Sequence, residues 1–410
     1  MMRWSSRMTA LASLAVCVVG GPIMGQETAA RLTRVPGTPG EAAAVLVSGA
    51  PLVHTAQLLP SDARGQLVGA GDLPAQIRQV LTNLELVLAT SQASLTDLVK
   101  LNFYVTDDDV AAAVRAELAR RWPEDAPATC FVVTRLPLPG AEVALDAVAC
   151  SRESWPPATS PRRRAAGVAT TSPGEHAVIC PPAGRVYVAG QAEKGNLREA
   201  TRRTLGSLEA TLRFLQLEWS DVGQLKSFVT PLAEVADAEA EVRAFFGERP
   251  IPPLVWVEWE SSLPIEIELV AGARSSPAVA AASTDTRDLE FLTPPGMTTP
   301  TIYSRVTRMP GSQTIYVSGL YGEPGRDGAA QVEQIFARLR TILERLDSDL
   351  THLVKATYYV VDNDASVRLN ELRPRYYDPR RPPAASKAQV RGVGRTGTTI
   401  TLDMIAVPAR

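Results

Sequence analysis

The segment Leu98–Thr106 reads LVKLNFYVT, and it recurs as Gln224–Thr230 (QLKSFVT) and as Leu353–Val360 (LVKATYYV). An amphipathic helical pattern precedes each copy, and a second helix and a strand rich in Val, Ile and acidic residues follow it. The repeat length of about 130 residues is close to the commonest size of a domain. The pattern therefore predicts one domain present three times in tandem, rather than a solenoid of small units.

Repeat one shows the element order of all three copies. Asp72, followed by Leu73 and Pro74, has the pattern of a helix start. The apolar residues of the predicted helix recur at steps of three and four: Ile77, Val80, Leu81, Leu84, Val87 and Leu88. Residues 99–105 alternate between apolar and polar side chains, which predicts a strand. The order strand, helix, strand, helix, strand, strand predicts an α+β domain with two helices on one face of a mixed sheet.

Two tethers rich in Pro, Ser, Thr and Ala divide the repeats. They cover residues 151–174 and 274–299, so the predicted domains span residues 40–150, 175–273 and 300–410. The first tether contains three consecutive arginines, Arg162 to Arg164. We interpret them as a solvated run of charge; a patch for an acidic partner is the alternative.

The N-terminus has the pattern of a secretory signal peptide. Arg3 and Arg7 precede the apolar run Thr9–Val19, and small and turn-forming residues follow it. The run is short for a membrane span. Residues 1–25 are therefore predicted to be a signal peptide, and the mature protein to be periplasmic or secreted. A retained membrane anchor is the alternative, and a cytoplasmic location follows if the segment is not a signal.

The composition argues against two classes of partner. Lys and Arg number 42 against 44 Asp and Glu, and the formal charge of −2 leaves no basic footprint for nucleic acid. Three histidines without a matching spacing of Cys or acidic ligands give no support for a metal site. Once the predicted signal is removed, Cys130, Cys150 and Cys180 remain. Cys150 and Cys180 are close enough in sequence for a disulfide between repeats, or all are small buried apolar residues.

Motifs in all three repeats carry a family resemblance. In repeat three, Tyr316–Gly319 (YVSG) is followed by the helix Gln331–Leu346 and by Leu353–Tyr359 (LVKATYY). A closing motif with Leu-Pro ahead of an acidic strand occurs at residues 136–149 and, as LPIEIELVA, at 263–271. Together these motifs resemble the reactive-intermediate deaminase family, RidA or YjgF-like. The resemblance covers nearly all of the chain outside the signal and the tethers.

The resemblance implies both a fold and an activity. Members have a chorismate-mutase-like α+β fold and assemble as homotrimers with ligand clefts between subunits. Active members hydrolyse reactive enamine and imine intermediates, such as 2-aminoacrylate, to 2-keto acids and ammonia without a metal or organic cofactor. Three copies in one chain imply a monomeric, intramolecular pseudo-trimer. Its expected partner is a small imino or enamino acid or a related metabolite.

The family's pocket residues carry over unevenly. In repeat three, Tyr303 resembles the N-terminal tyrosine, Ser318-Gly319 the Ser-Gly pair, and Asn370 the asparagine of the second helix. Repeat two keeps Glu266 at the glutamate of the last strand, where repeat three has Thr401 and repeat one Ala144. The predicted catalytic residues are Glu266, Ser318 and Asn370, and the predicted substrate-binding residues are Tyr303, Gly319, Lys387 and Asp403.

The arginine that holds the substrate carboxylate in the family is missing from its usual place in every repeat. The residues found there are Ala385 in repeat three, Leu254 or Val255 in repeat two, and Ala128, Thr129 or Cys130 in repeat one. A bidentate arginine contact contributes roughly 1.5–3 kcal/mol per hydrogen bond, so its loss weakens binding about tenfold or more. Lys387, two residues beyond Ala385 on the same strand face, is the predicted substitute. A solvated lysine is the alternative.

Two functions remain open from the sequence. The first is a deaminase relative in which one cleft, lined by repeat three, still hydrolyses an imine or enamine. The second is a non-catalytic protein that binds a small metabolite or a protein on the same trimeric frame. His54, beside Thr55 in repeat one, is a further candidate acid or base.

Overall fold

The computed structural model describes Met1 and residues 31–155, 160–170, 172–272 and 289–409. The predicted signal peptide lies outside these residues, apart from Met1, as does most of the second tether. In the described part of the chain, no helix is both long and apolar enough to cross a membrane.

Repeat one contains the first six strands and two helices. They are β1 Arg31–Pro36, β2 Ala42–Ser48, β3 Leu52–Thr55, α1 Leu73–Ala89, β4 Leu98–Val105, α2 Asp108–Arg121, β5 Ala128–Val133 and β6 Val143–Cys150. Helix α1 begins where the sequence predicts. The Asp72 carboxylate accepts a hydrogen bond from the Ala75 amide at 3.0 Å, and Pro74 lies in the first turn, where no amide donor is needed.

Repeats two and three follow the same order. The first tether adds β7 Arg162–Arg163, and repeat two adds β8 Ala177–Cys180, β9 Arg185–Gln191, α3 Leu197–Phe214, β10 Val222–Val229, α4 Val235–Phe246, β11 Leu254–Glu258 and β12 Ile265–Gly272. Repeat three, preceded by β13 Glu290–Leu292, has β14 Val306–Met309, β15 Gln313–Leu320, α5 Gly328–Glu344, β16 Leu353–Val360, α6 Asn363–Leu372, β17 Ala384–Gln389 and β18 Ile400–Ala406. The α+β class predicted from the sequence is confirmed.

Strand pairing between repeats closes the chain into a ring. Apart from β1, which pairs with β2, the first strand of each repeat pairs antiparallel with the second strand of the repeat before it: β8 with β3, β14 with β9, and β2 with β15. The third pairing joins the end of the chain back to repeat one. This cyclic arrangement is the intramolecular pseudo-trimer that the triplication predicts.

Strand β4 separates an outer core from a central one. In β4, Leu101, Phe103 and Val105 pack beneath the helices of repeat one. The intervening residues point toward the centre of the ring, where Tyr104 packs with Phe228 and Tyr359 from the other two repeats. The alternation expected of a strand is therefore present, but both faces are buried because the ring encloses the inner one.

The pairing also fixes which positions of the repeats correspond. Lys100 lies opposite Val148 in repeat one, and Lys355 lies opposite Ile405 in repeat three. In repeat two the residue at this position is Gln224, opposite Val270. Lys226 is two residues further on, opposite Glu268, and therefore corresponds to Asn102 and Thr357. The middle copy thus carries its lysine one inward-facing position away from the other two.

The three cysteines in the described part of the chain are free thiols. Cys150 and Cys180 both pair with Leu52, from opposite sides of β3, so that strand separates them. Cys130, Cys150 and Cys180 are all buried, and burial raises the pKa of each thiol to about 12. Of the two hypotheses that the sequence left open, a disulfide and small buried apolar residues, the structure supports the second.

Candidate functional site

Three junctions between repeats correspond to one another around the ring. At each junction the second strand of one repeat, or the residues just after it, faces the strand of the next repeat that runs parallel to its neighbour, which is β11, β17 or β5. Junction 1/2 brings Gln57 to Leu254, junction 2/3 brings Gly190 to Ser386, and junction 3/1 brings Ser318 to Thr129. The three junctions differ in what fills them.

Junction 1/2 is closed by the protein's own hydrogen bonds. The Gln57 amide donates to the Leu254 carbonyl at 2.9 Å, and its side-chain Nε2 donates to the Trp256 carbonyl at 3.1 Å. Trp256 in turn donates its amide to Gln57 Oε1 at 3.4 Å. The glutamine therefore occupies the space next to the strand, and this junction offers no donor or acceptor to a ligand at that point.

At junction 3/1 the Ser318 hydroxyl already makes hydrogen bonds within the protein, both as acceptor and as donor. Its hydroxyl accepts a hydrogen bond from the Thr129 amide at 2.8 Å and donates one to the Ala42 carbonyl at 2.5 Å. Thr129 also donates its side-chain hydroxyl to Glu41 at 2.7 Å, and burial raises the pKa of Glu41. Register places Glu41 where Tyr303 lies in repeat three, because Ala44 and Val306 occupy equivalent positions in their pairings.

Two arginines, Arg115 and Arg395, lie at the same junction. The Arg115 guanidinium lies 4.0 Å from the centre of the Phe131 ring and donates to the Tyr321 hydroxyl at 3.2 Å, and Arg395 lies 4.5 Å from the Tyr321 ring. No carboxylate in the described part of the chain lies within 4.0 Å of either guanidinium. Arg115 is not among the site residues predicted from the sequence. It lies eight residues after the helix-capping Asp107, as Asn370 does after Asp362, and this spacing is the signal that marks it.

Junction 2/3 is built around a half-buried acidic residue, Glu266. The Glu266 side chain packs against Gly190, and a Cβ added at position 190 would displace it from this place. The Gly190 amide donates to the Ser386 hydroxyl at 3.0 Å, and Ser386 also hydrogen-bonds the Glu266 carboxylate. Glu266 from repeat two and Ser386 from repeat three therefore form one site across the junction.

The Glu266 carboxyl titrates near neutrality. Burial raises its pKa to about 7, and the neighbouring Glu268 carboxylate contributes in the same direction. Lys355, Ser386 and Arg305 oppose the shift without reversing it. A carboxyl with such a pKa can both donate and accept a proton at physiological pH, which is the property required of a general acid and base.

Tyr303 and Arg305 lie on the chain that leads into β14 at this junction. The Arg305 guanidinium lies 5.5 Å from the centre of the Tyr303 ring, and its Nε donates to the Thr298 carbonyl at 3.3 Å. The Arg305 carbonyl accepts from the Ala189 amide at 2.9 Å, which holds this segment against repeat two. Arg305 thus brings a half-buried positive charge to the side of the junction that holds Glu266. The sequence reasoning did not select this residue.

The remaining predicted site residues lie elsewhere. Lys387 Nζ donates to Ser366 Oγ on helix α6 at 2.7 Å, and burial lowers its pKa. Asn370 is exposed on the same helix, where its Oδ1 accepts from Arg373 at 3.2 Å. Asp403 points to the centre of the ring and pairs with Lys100 at 3.0 Å. The structure thus brings Glu266 and Tyr303 to one junction, and Ser318 with Gly319 to another.

A central chamber of about 70 Å³ lies on the axis of the ring. Each repeat reaches across to an acid of the repeat before it. Lys100 pairs with Asp403 at 3.0 Å, Lys355 pairs with Glu268 at 2.6 Å, and Gln224 Nε2 donates to Asp146 at 3.3 Å. His54 also lines the chamber rather than a junction. Its burial, with Arg185 and Lys226 nearby, lowers its pKa to about 3, so its ring is neutral and a poor base at physiological pH.

Among the described residues, no group of three or more His, Cys, Asp and Glu side chains is arranged to hold a metal ion.

Comparisons with known proteins agree with the repeated motifs. The family model described as Endoribonuclease L-PSP matches residues 43–151 and 297–408, more than half of the chain. The matched segments are repeats one and three, and the middle repeat shares their element order.

Two curated relatives match single stretches of the chain. The chain is 33% identical over 81 residues to Protein DfrA of Myxococcus xanthus, of which it spans 60%; the match covers 20% of this chain. It is 30% identical over 98 residues to 3-aminoacrylate deaminase RutC of Acinetobacter baylyi, with 24% of this chain and 78% of the relative covered.

Solved structures also match one repeat at a time. The YyfB protein of Yersinia pestis, of the Rid family, is 32% identical and is covered over 98% of its length by 30% of this chain, with a TM-score of 0.27. Yeast Mmf1 is 23% identical, covered over 100% of its length by 30% of this chain, with a TM-score of 0.24. On the family-model match, the chain belongs to the Endoribonuclease L-PSP family, which is the RidA/YjgF family that its motifs indicate.

Proposed function

We propose that the protein hydrolyses a small imino or enamino acid to a 2-keto acid and ammonia at junction 2/3, with Glu266 as general acid and base. The observation that carries this proposal is the half-buried Glu266, which lies between Gly190 and Ser386 and whose carboxyl pKa is raised to about 7. The similarity to a 3-aminoacrylate deaminase supports the substrate class.

The chemistry needs one group that moves protons in both directions. Ionised Glu266 takes a proton from a water molecule as the water oxygen adds to the carbon of the protonated imine, which gives a neutral carbinolamine. Protonated Glu266 then gives that proton to the carbinolamine nitrogen, and ammonia leaves as the C–N bond breaks and the carbinolamine hydroxyl returns a proton to Glu266, which leaves the 2-keto acid. An enamine first receives a proton on carbon from protonated Glu266, which converts it to the protonated imine. A pKa near the working pH keeps both forms populated.

Arg305 is the proposed partner of the substrate carboxylate. The position of the family's arginine holds Ala385 at this junction, so that contact has to come from another element. Arg305 acts on Glu266 through its charge and lies beside the Tyr303 ring. Lys387 is the less suitable candidate, because its ammonium is bound to Ser366 and burial lowers its pKa.

The test offers purified protein an imine such as iminopropanoate, generated by an amino-acid oxidase, and follows its decay against buffer. Glu266→Gln is expected to lower the rate about a hundredfold or more, since general acid–base catalysis contributes roughly 10²–10⁴-fold. Arg305→Met is expected to raise KM about tenfold with a smaller effect on kcat. Glu239→Gln is the matched control: burial raises the pKa of Glu239 as well, but it lies on α4 and hydrogen-bonds Ser172.

The second candidate, a non-catalytic binding protein, is favoured by one observation. Ala385, Thr129 and Leu254 occupy equivalent strand positions, and none of them can clamp a carboxylate. If the wild-type protein leaves the imine to decay at the buffer rate, the hydrolase proposal is wrong for that substrate. Binding of the keto-acid product in calorimetry, with no rate acceleration, would then support the binding function. Loss of activity in Glu41→Gln but not in Glu266→Gln would move the site to junction 3/1.

A further inference from the structure

The central chamber has an excess of hydrogen-bond donors. Lys355 uses all three donors of its ammonium: Nζ lies 2.6 Å from Glu268 Oε2, 3.0 Å from Thr357 Oγ1 and 3.1 Å from the Ala356 carbonyl. Lys100 bonds Asp403 at 3.0 Å and the Val317 carbonyl at 2.5 Å, which leaves it one donor. These two lysines are therefore matched to acids.

Lys226 is not matched in this way. In the described part of the chain, its ammonium makes no hydrogen bond and has no carboxylate within 4.0 Å. The Tyr104 ring lies 6.0 Å away. Only 6% of Lys226 is exposed. Burial lowers the pKa of Lys226, and the carboxylates of Asp146 and Asp403 act in the opposite direction.

Asp146 is the third acid of the chamber, and it accepts its hydrogen bonds from uncharged side chains. It accepts hydrogen bonds from Asn102 Nδ2 at 3.0 Å, from the Tyr104 hydroxyl at 2.6 Å and from Gln224 Nε2 at 3.3 Å. With its lone pairs occupied, Asp146 has no need of a cation in direct contact. The substitution of Gln224 for a lysine thus separates one acid from one ammonium inside the chamber.

Other buried polar atoms in the wall of the chamber also lack partners. His54 Nε2 and Asn102 Oδ1 are buried and make no hydrogen bond, and the buried hydroxyls of Tyr187 and Tyr316 interact with each other, Tyr316 donating to Tyr187. The four side chains are between 2% and 8% exposed. The Tyr187 hydroxyl therefore keeps its own proton to donate, and a neutral imidazole nitrogen can also be a donor. Only Asn102 Oδ1 has to accept, and a water molecule that shares the chamber can satisfy it.

We propose that the chamber binds a small monovalent anion, held by Lys226 together with the hydroxyl of Tyr187. A volume of about 70 Å³ accepts roughly five water-sized molecules, enough for a halide or an anion of the size of acetate with a water beside it. A buried ammonium without a direct counter-ion is costly, and an anion supplies that counter-ion. The site is separate from the three junctions and does not depend on the proposed hydrolysis.

The experiment uses the full chain and two probes. Crystals soaked in sodium bromide are expected to show an anomalous peak beside Lys226 Nζ. Sodium acetate is expected to raise the thermal midpoint above that measured in sodium gluconate at equal ionic strength, because gluconate is too large to enter. Lys226→Met is expected to abolish both effects. Tyr187→Phe, which deletes one hydroxyl, is expected to weaken acetate binding about tenfold.

Two controls separate this site from general salt effects and from the junctions. Lys194→Met removes an exposed lysine and is expected to keep the bromide peak and the acetate effect, as is Glu266→Gln. A chamber that contains only water after the bromide soak overturns the proposal. So does an acetate effect that persists in folded Lys226→Met and in Tyr187→Phe. If Lys226→Met fails to fold, Tyr187→Phe decides alone: unchanged acetate affinity overturns the proposal, and weakened affinity supports it.

Discussion

Replacing Glu266 by glutamine should change how the stability of the protein depends on pH. The folded-state pKa of Glu266, about 7, lies above the ordinary value of 4.5. A carboxyl whose pKa is raised by folding binds its proton more tightly in the folded state than in the unfolded state. Its effect on stability is therefore smallest below pH 4.5. The destabilisation grows as the pH rises through the window from 4.5 to 7 and is complete above it.

The size of the effect follows from the two pKa values. One pKa unit corresponds to about 1.4 kcal/mol, so the full shift of Glu266 is equivalent to about 3 kcal/mol, of which about 2.5 kcal/mol falls between pH 5 and pH 8. Glutamine has no charge to bury, so the variant lacks this term. The wild type should thus lose about 2–3 kcal/mol more stability than Glu266→Gln when the pH is raised from 5 to 8.

Urea unfolding at pH 5, 6, 7 and 8 measures this difference directly. Other titrating groups contribute equally to both proteins, so only the difference between the two curves is interpreted. Glu117→Gln serves as a control, because a partly exposed carboxyl whose pKa is lowered by its hydrogen bond to Arg120 should give no separation in this window. Parallel curves for wild type and Glu266→Gln would show that Glu266 titrates at its ordinary pH, and the acid–base role assigned to it would lose its physical basis.

Two further substitutions test the geometry. Gly190→Ala should lower hydrolytic activity about as much as Glu266→Gln while changing stability by under about 1 kcal/mol, because the flexible carboxylate gives way to the new methyl group. The control Gly206→Ala, in open space on α3, should stabilise the protein by about 0.5–1 kcal/mol and keep full activity. Retained activity in Gly190→Ala would contradict the placement of Glu266. Lys355→Met should lower the free energy of unfolding in urea by about 3–5 kcal/mol, because it leaves Glu268 buried without its cation. Arg308→Met, which breaks an exposed pair with Glu290, should lower it by under about 1 kcal/mol. Equal losses would show that burial does not determine the strength of the central pairs.

The fold was accessible from the sequence because its signals are local. The helix start at Asp72, the spacing of apolar residues in α1 and the alternation in β4 each depend on a few neighbouring residues. Three copies of the same order then indicated the ring, since a trimeric family fused into one chain has one obvious way to close. Both inferences required only periodicity and turn chemistry.

The site was less accessible because each junction combines distant parts of the chain. Ser318 lies against Thr129, and Glu266 lies against Ser386, so residues that belong to one repeat in sequence serve two different junctions. Ser318 and Glu266 are both predicted catalytic residues, but the structure places them at different junctions. Arg305 escaped notice for a similar reason: it does not occupy a family position, and only the packing of β14 on β9 brings it to repeat two.

The exchange of Gln224 and Lys226 shows what fusion permits. In a homotrimer every substitution occurs three times around the axis, so a Lys226-type residue would place three unmatched ammoniums together. At separations of about 6 Å and an effective dielectric of 20, each pair of such charges repels by roughly 3 kcal/mol, which is a large fraction of the stability of a typical domain. A single chain makes the change in one repeat, while Lys100 and Lys355 keep their acids. An unmatched cation at the centre is thus tolerable only when the three repeats are free to differ, and the anion site proposed there is a property of the fused chain.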